Sequence, residues 1–415
     1  MNDKPPRVIQ SVLSPGGIEA WLVEDHTIPL LVVDCAFKGG SAHDPEGKHG
    51  CSYLMTSLLD EGAGPYDSQA FHTHLSEKAI QMSFSTDRDG WYGSFKTTTA
   101  YTDDAFRLFR LALCEPRFDH ESIERVRAQI MAILRQEAQN PSTLAGRAFF
   151  SGLFPDHPYG LPIRGTLESL AQLSESDLKE MYRRAFARDR LVVTVTGSIT
   201  PENLAQYLDA TFGSLPKSTL LPFLKPAQIA SLGTQEHIKI DAPQSVICFG
   251  RPGLMRDDPD FIPAVVVNHI LGGSGLTSRL FREVREKRGL AYGVSSSLNC
   301  YTYAGLFSGG TATQAKQVDD ALSVIKSQIK DLVEHGPTHE ELEDAKTFLI
   351  GSYPLRFDTS SKTSSHLLHI ALEGLGIDYI SKRNGFVQAV TYEDTLRAAQ
   401  RLFEKGELFT VVAGQ

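Results

Sequence analysis

The chain has 415 residues, more than one ordinary hydrophobic core accommodates, so two or more domains or a duplicated one are expected. Hydrophobic residues make up 41% and charged residues 22%, which excludes a disordered chain. The 41 basic and 50 acidic residues give a formal net charge of -9, which argues against a global grip on nucleic acid or an anionic membrane, and no apolar run approaches the ~20 residues of a membrane-spanning helix.

The N-terminal stretch MNDKPPRVIQ carries no apolar signal core, so the expected location is cytoplasmic, or periplasmic if a leader preceded this numbering. Strands are expected at IEAWLVED and LLVVDCAF, followed by an Asp44-Pro45 turn and a helix after Gly50 that reads CSYLMTSLL. A strand at GWYGSFKTTT, amphipathic helices including FDHESIERVRAQI and a closing strand RLVVTVTGS complete this half. The second half repeats the order: strands HIKIDA and SVICFG, an Asp258-Pro259 turn, a helix, the strand AGLFSGGTAT, further helices and the closing strand ELFTVVAGQ. From Gln317 to Glu334, Leu322, Ile325, Ile329, Leu332 and Val333 fall at helical spacing. Thr338 with Glu341 forms a capping box, and Ser174 with Asp177 and Thr391 with Asp394 resemble its acidic variant.

Three anchors indicate a duplication. His120 and His339 lie 219 positions apart, Gly197 and Gly414 lie 217 apart, and Asp44 and Asp258 lie 214 apart, in the same order. The expected division is an N-terminal half at 1–217, a linker at 218–235 within the Pro216, Pro222 and Pro226 stretch, and a C-terminal half at 236–415. Strands and helices in separate runs predict an α+β class, each half an antiparallel-rich sheet covered by helices. Five cysteines, with no C-x-x-C, read as free thiols, and Cys35, Cys114 and Cys248 lie in apolar runs that predict burial.

Residues 259–297, PDFIPAVVVNHILGGSGLTSRLFREVREKRGLAYGVSSS, resemble the pitrilysin/insulinase metallopeptidase family in its branch close to mitochondrial processing peptidase. HPYGLPIRGTLESL (157–170), VTVTGSITPE (193–202) and YPLRFDT (353–359) support the match in the family's order. The resemblance implies a two-halved metallohydrolase fold of the LuxS and processing-peptidase type. It also implies that Arg285 and Tyr292 are the family's paired arginine and tyrosine, which bind substrate backbone near the scissile bond. A guanidinium and a phenol can donate to the oxygen that gains charge when a peptide carbonyl is attacked. The structural alternative pairs Arg285 with Glu283 or Glu286 and puts Tyr292 in the core. Gly272, Gly273 and Gly275 form a glycine-rich loop without the G-K-[ST] of a phosphate loop. The resemblance places them where a non-catalytic subunit helps admit substrate, and a plain tight turn fits equally well.

The family's N-terminal half should carry H-x-x-E-H on a helix, with two histidines for Zn²⁺ and a glutamate that activates water. At those positions stand Tyr53, Ser57 and Thr56, and the register for the third ligand falls at Ile133, near Glu137. No zinc site is expected from this set. His43, His49 and Glu61 surround the helix, and His72 and His74 form an H-x-H that would point one way on a strand. No G-x-S-x-G nucleophile elbow is present.

The resemblance therefore implies half of an active site. In the first reading the chain carries no cofactor and is inactive alone. A catalytic subunit of the same fold supplies H-x-x-E-H and zinc, and the pair closes around an unfolded peptide that adds as a strand to an exposed sheet edge. In the second reading the chain is a scaffold or peptide-binding protein, like the core subunits of the bc1 complex. A peptidase with a cryptic metal site near His43, His49 and Glu61 is the third.

Overall fold

The computed structural model describes residues 8–404 and 407–415. Its strands are β1 Ile9–Leu13, β2 Glu19–Glu24, β3 Leu30–Lys38, β4 Gly62–Ala63, β5 Tyr66–Asp67, β6 Gln81–Thr86, β7 Gly90–Thr98, β8 Leu191–Gly197, β9 Gln235–Lys239, β10 Ser245–Pro252, β11 Ala291–Cys300, β12 Gly305–Thr313 and β13 Phe409–Gly414. They form a six-stranded sheet in the order β1-β2-β8-β3-β7-β6, a five-stranded sheet in the order β11-β12-β10-β13-β9, and the small pair β4-β5. Pairing is antiparallel except for β2 with β8 and β13 with β9. The architecture is α+β, built twice.

The chain divides into two compact units. The first joins Met1–Ile133, Pro162–Phe223 and Tyr353–Ile380, and the second joins Leu134–Leu161, Leu224–Ser352 and Ser381–Gln415. Each unit thus contains a helix encoded in the opposite half of the sequence. In the first unit the helix Ser360–Leu372 packs on β3 and β8. In the second the helix Pro141–Leu153 packs on β10 and β13. These two helices begin and end 219 positions apart, the same offset as His120 and His339.

The sequences explain the packing. β3 is buried along nearly all its length, and apart from Asp34 its residues from Leu30 to Phe37 are apolar. β8 alternates Val193 and Val195 with Thr194 and Thr196. The threonine face meets Ser364 of the helix Ser360–Leu372, where Thr194 Oγ1 donates to the Ser364 carbonyl at 3.0 Å. Thr194 and Ser364 are small enough to let helix and sheet approach closely, and they satisfy each other's buried polar atoms. The other face of this sheet carries an aromatic cluster, with Phe95 packed edge-on against Phe106 at 4.9 Å and Phe109 at 5.1 Å. In the second unit Phe149 stacks on Phe409 at 6.1 Å. Gly152 lies against the same ring, where an added Cβ would come within 2.4 Å. The remaining core of this unit joins Ile247, Phe249 and Phe307 to Leu322, Ile325, Ile329 and Leu402.

The helix expected over 317–334 runs Val318–His335, and the three expected capping boxes all form. One cysteine expectation needs correction. Cys35 is buried, but Cys114 and Cys248 are only half-buried, because each sits at an element surface that the apolar run alone does not reveal.

Candidate functional site

In the first unit, Asp44 organises the segment that follows it. Its carboxylate accepts from the Gly50 and Ser52 amides, each at 2.8 Å, and caps the helix Cys51–Thr56. Gly50 adopts φ +91°, and an added Cβ would meet the Arg164 carbonyl oxygen at 2.7 Å. On this helix Tyr53 lies beneath Arg164, whose guanidinium carbon is 5.4 Å from the ring centre. Thr56 is buried and donates to the Ser52 carbonyl at 2.7 Å; Ser57 donates to the Tyr53 carbonyl at 2.8 Å. Both hydroxyls serve the helix backbone. Ile133 is an exposed apolar residue on the helix His120–Glu137. Glu137 pairs with Arg147 at 3.0 Å in the second unit.

The other candidate ligands are engaged elsewhere. Glu61 accepts from Arg125 at 2.6 Å and from Ser68 at 2.5 Å. His43 is buried, and neither ring nitrogen has a hydrogen-bond partner among the described residues. Burial first, and then the nearby Arg190 and Arg184, push its pKa down to about 4. His72 and His74 lie on the helix Ser68–Glu77, not on a strand. Two helical positions apart they diverge by about 200°, and His74 instead packs against the Tyr66 ring at 4.5 Å. Among the described residues no group of three or more His, Cys, Asp or Glu side chains could hold a metal ion. The donor set around the helix Cys51–Thr56 does not fit zinc. Cys51 is buried and its thiol donates to the Asp177 carbonyl at 3.7 Å, with its pKa pushed up chiefly by burial, so it is no reactive thiolate.

In the second unit, Arg285 and Tyr292 occupy two irregular elements. The helix Phe261–Asn268 continues into a π-helical turn over His269–Gly273, and a second π-helical stretch spans Phe281–Glu286. Such turns are rare and concentrate at functional sites. At the end of the first, an added Cβ on Gly272 would meet Ser296 Oγ at 2.4 Å, and one on Gly273 would meet Asn268 Nδ2 at 2.8 Å. Gly275 and Gly289 both adopt φ +61°. The glycines therefore serve close packing as well as turning.

Arg285 projects to solvent, with its guanidinium carbon 4.7 Å from the Phe281 ring centre. Glu283 is held by Lys287 at 2.6 Å and Arg288 at 2.5 Å. Arg285 makes no ion pair among the described residues. Tyr292 is 84% exposed and lies outside the core. The ladder between β11 and β12 shifts register between Ala291 and Val294, so Tyr292 and Gly293 form a bulge. Thr311 Oγ1 donates to the Gly293 carbonyl at 2.7 Å and fixes it. A sheet edge, an exposed phenol and a guanidinium with no ion pair among the described residues thus lie on adjoining elements of one unit.

Three contributors escaped the sequence reading. Thr311 holds the bulge, and Arg279 with Glu341 anchors the π-helical segment. Arg279 stands within the S-R-L-F run, and Glu341 also caps its own helix with Thr338.

Comparison with known proteins decides the family. Residues 22–167 match the family described as Insulinase (Peptidase family M16), and residues 172–349 match the one described as Peptidase M16 inactive domain. The chain belongs to the M16 peptidase family. A protein of Helicobacter pylori named "Non-peptidase homolog YmxG" is 28% identical over 359 residues, 86% of this chain and 82% of that protein. A Streptomyces coelicolor protein named "Uncharacterized zinc protease SCO5738" is 27% identical over 90% of this chain and 82% of its own length. The crystal structure of a peptidase M16 inactive domain from Pseudomonas fluorescens superimposes with a TM-score of 0.92 at 25% identity, covering 98% of each chain. The M16 membership accounts for the two-halved fold and for the run at 259–297. No helix among the described residues is long and apolar enough to cross a membrane.

Proposed function

We propose that this chain is the metal-free subunit of a two-chain zinc metallopeptidase. Its C-terminal half presents Arg285 and Tyr292 to the substrate backbone, while a catalytic subunit of the same fold supplies H-x-x-E-H and zinc. The division into halves at 1–217 and 236–415, joined by 218–235, belongs to this reading. The observation that supports it most is the contrast in engagement. Among the described residues Tyr53, Thr56, Ser57 and Ile133 form no metal-binding set, whereas Arg285 and Tyr292 stand exposed, Arg285 with no ion pair and only the Phe281 ring against it. The name of the Helicobacter pylori relative agrees with a chain that does not hydrolyse peptides by itself.

The mechanism assigned to this chain is binding and polarisation. Zinc held by the H-x-x-E-H of the partner would supply activation of the attacking water. An extended peptide added to the free side of β11 lies beside Tyr292 and offers its carbonyls to the phenol and the guanidinium. These donors stabilise the oxygen that becomes negative during attack, and Gly272, Gly273 and Gly275 shape the approach. Removal of one such donor lowers turnover by roughly 10²–10³-fold.

The test uses the purified chain with and without a zinc-bearing M16 chain. Alone, it should bind less than stoichiometric zinc by elemental analysis and cleave no peptide. Together, the pair should cleave, and Arg285→Ala or Tyr292→Phe should lower turnover while the two chains still co-elute. Stoichiometric zinc in the isolated chain, or full activity in both variants, defeats the proposal. The second reading, a scaffold or peptide-binding protein, predicts peptide binding or assembly with no proteolysis under any pairing.

A further inference from the structure

We infer that Arg279 and Glu341 are positioning residues that fix the π-helix carrying Arg285. The inference rests on the proposed role of Arg285 in substrate binding and adds what holds that residue in place. Arg279 is 7% exposed and directs four donor contacts at three separate points. Its Nε and Nη2 reach the two oxygens of Glu341 at 2.8 and 2.6 Å, and Nη1 reaches Asp331 at 2.7 Å. Nη2 also donates to the Gly336 carbonyl at 3.2 Å. Asp331 and Gly336 mark the C-terminal end of the helix Val318–His335, where a cation is favoured. Glu341 marks the start of the helix His339–Gly351, and its Oε2 also accepts from the Thr338 amide at 2.9 Å. One guanidinium therefore ties the junction of two regular helices to an irregular segment.

That segment requires such a tie. π-Helical turns are rare and mostly a single turn long, and here two of them flank a glycine-bearing loop. Arg282 adds a second contact, from Nη2 to Glu341 Oε1 at 3.0 Å. Phe281 and Val284 are buried in the core beneath the same stretch. The rotation of Phe281–Glu286 about its axis is thus set by apolar contacts on one side and by Glu341 on the other. Arg285 follows three positions after Arg282, so a turn of the helix that breaks the Glu341 contacts re-aims the Arg285 guanidinium. The Glu341 carboxyl is pushed up by burial, but the Arg279 contact and the Thr338 amide outweigh this and hold it below the usual carboxylate range. The anchor stays charged near neutral pH.

The experiment compares Glu341→Gln, Arg279→Lys and Arg279→Met with the unaltered full chain. Amide hydrogen exchange over residues 281–292 is read in the chain alone. Turnover is read after pairing with a zinc-bearing M16 chain, with Arg285→Ala as reference. In Glu341→Gln and Arg279→Met the amides should exchange at least about 10-fold faster, and kcat should fall about 10-fold with KM within about twofold. Arg279→Lys, which keeps the charge, should fall between these and the unaltered chain. Arg279→Met tests the loss of the whole fork; if it does not fold, Glu341→Gln carries the test. Unchanged exchange in Glu341→Gln overturns the inference whatever the activity. A loss of activity in Arg285→Ala with full kcat in Glu341→Gln also overturns it and leaves the proposed function standing. Full activity in Arg285→Ala defeats the proposed function instead, and the inferred role falls with it.

Discussion

His43 illustrates how one residue imprints a pH dependence on the whole chain. It is 4% exposed, and its folded-state pKa of about 4 lies below the ordinary value near 6.5. Between these values the unfolded chain takes up a proton that the folded chain refuses. The contribution is full above pH ~6.5 and is lost as pH falls toward 4, on the order of 3 kcal/mol across that window. His43→Leu should flatten the fall in stability over this range in urea titrations at several pH values; an unaltered slope refutes the assignment. Arg285 and Tyr292 give the opposite prediction. Being exposed, Arg285→Ala and Tyr292→Phe should leave unfolding stability within about 0.5 kcal/mol of the parent, measured in denaturant. A larger change would point to a structural role that the contacts do not reveal.

At the level of elements, regular structure was the readable part of the sequence. Capping boxes such as Thr338–Glu341 are local, so four residues suffice to announce them. The strands β3 and β12 follow from their apolar content. The bulge at Tyr292 and the π-turns at 269–273 and 281–286 were not readable, because each is one residue out of register with a period that tertiary contacts enforce. The helix Ser360–Leu372 was equally opaque. Its Ser and Thr residues resemble a solvent face, yet Thr363 and Ser364 are buried against the sheet. Ser364→Leu should overpack this contact and cost about 1–3 kcal/mol, and Leu367→Ala about 2–5 kcal/mol, by thermal or chemical unfolding. Stabilities equal to the parent would show that this helix contributes little to the first unit.

At the level of the molecule, the duplication was visible through anchors such as His120 and His339. The exchange of helices between the halves was not, since a repeat with constant offset looks the same whether each helix packs at home or away. Nothing in Pro141–Leu153 or Ser360–Leu372 states which sheet it will meet. The lack of an H-x-x-E-H motif is legible because ligand identity needs no geometry, while the Arg279–Glu341 contact joins positions far apart in sequence. The exchange makes a clear prediction for dissection. A fragment ending at Phe223 lacks Ser360–Leu372 and should bind a hydrophobic dye and lack near-ultraviolet circular dichroism. A peptide covering 353–380, added in trans, should restore the signal. A fragment that folds cooperatively unaided would contradict the division into units.

The same exchange governs how the polypeptide can emerge from a ribosome. The first sheet has all its strands once Gly197 is made, but one face waits for a helix that ends at Leu372. At about 5–20 residues per second the nascent chain carries that uncovered face for roughly ten seconds or more. The first unit therefore cannot be completed during synthesis before most of the second half has been made.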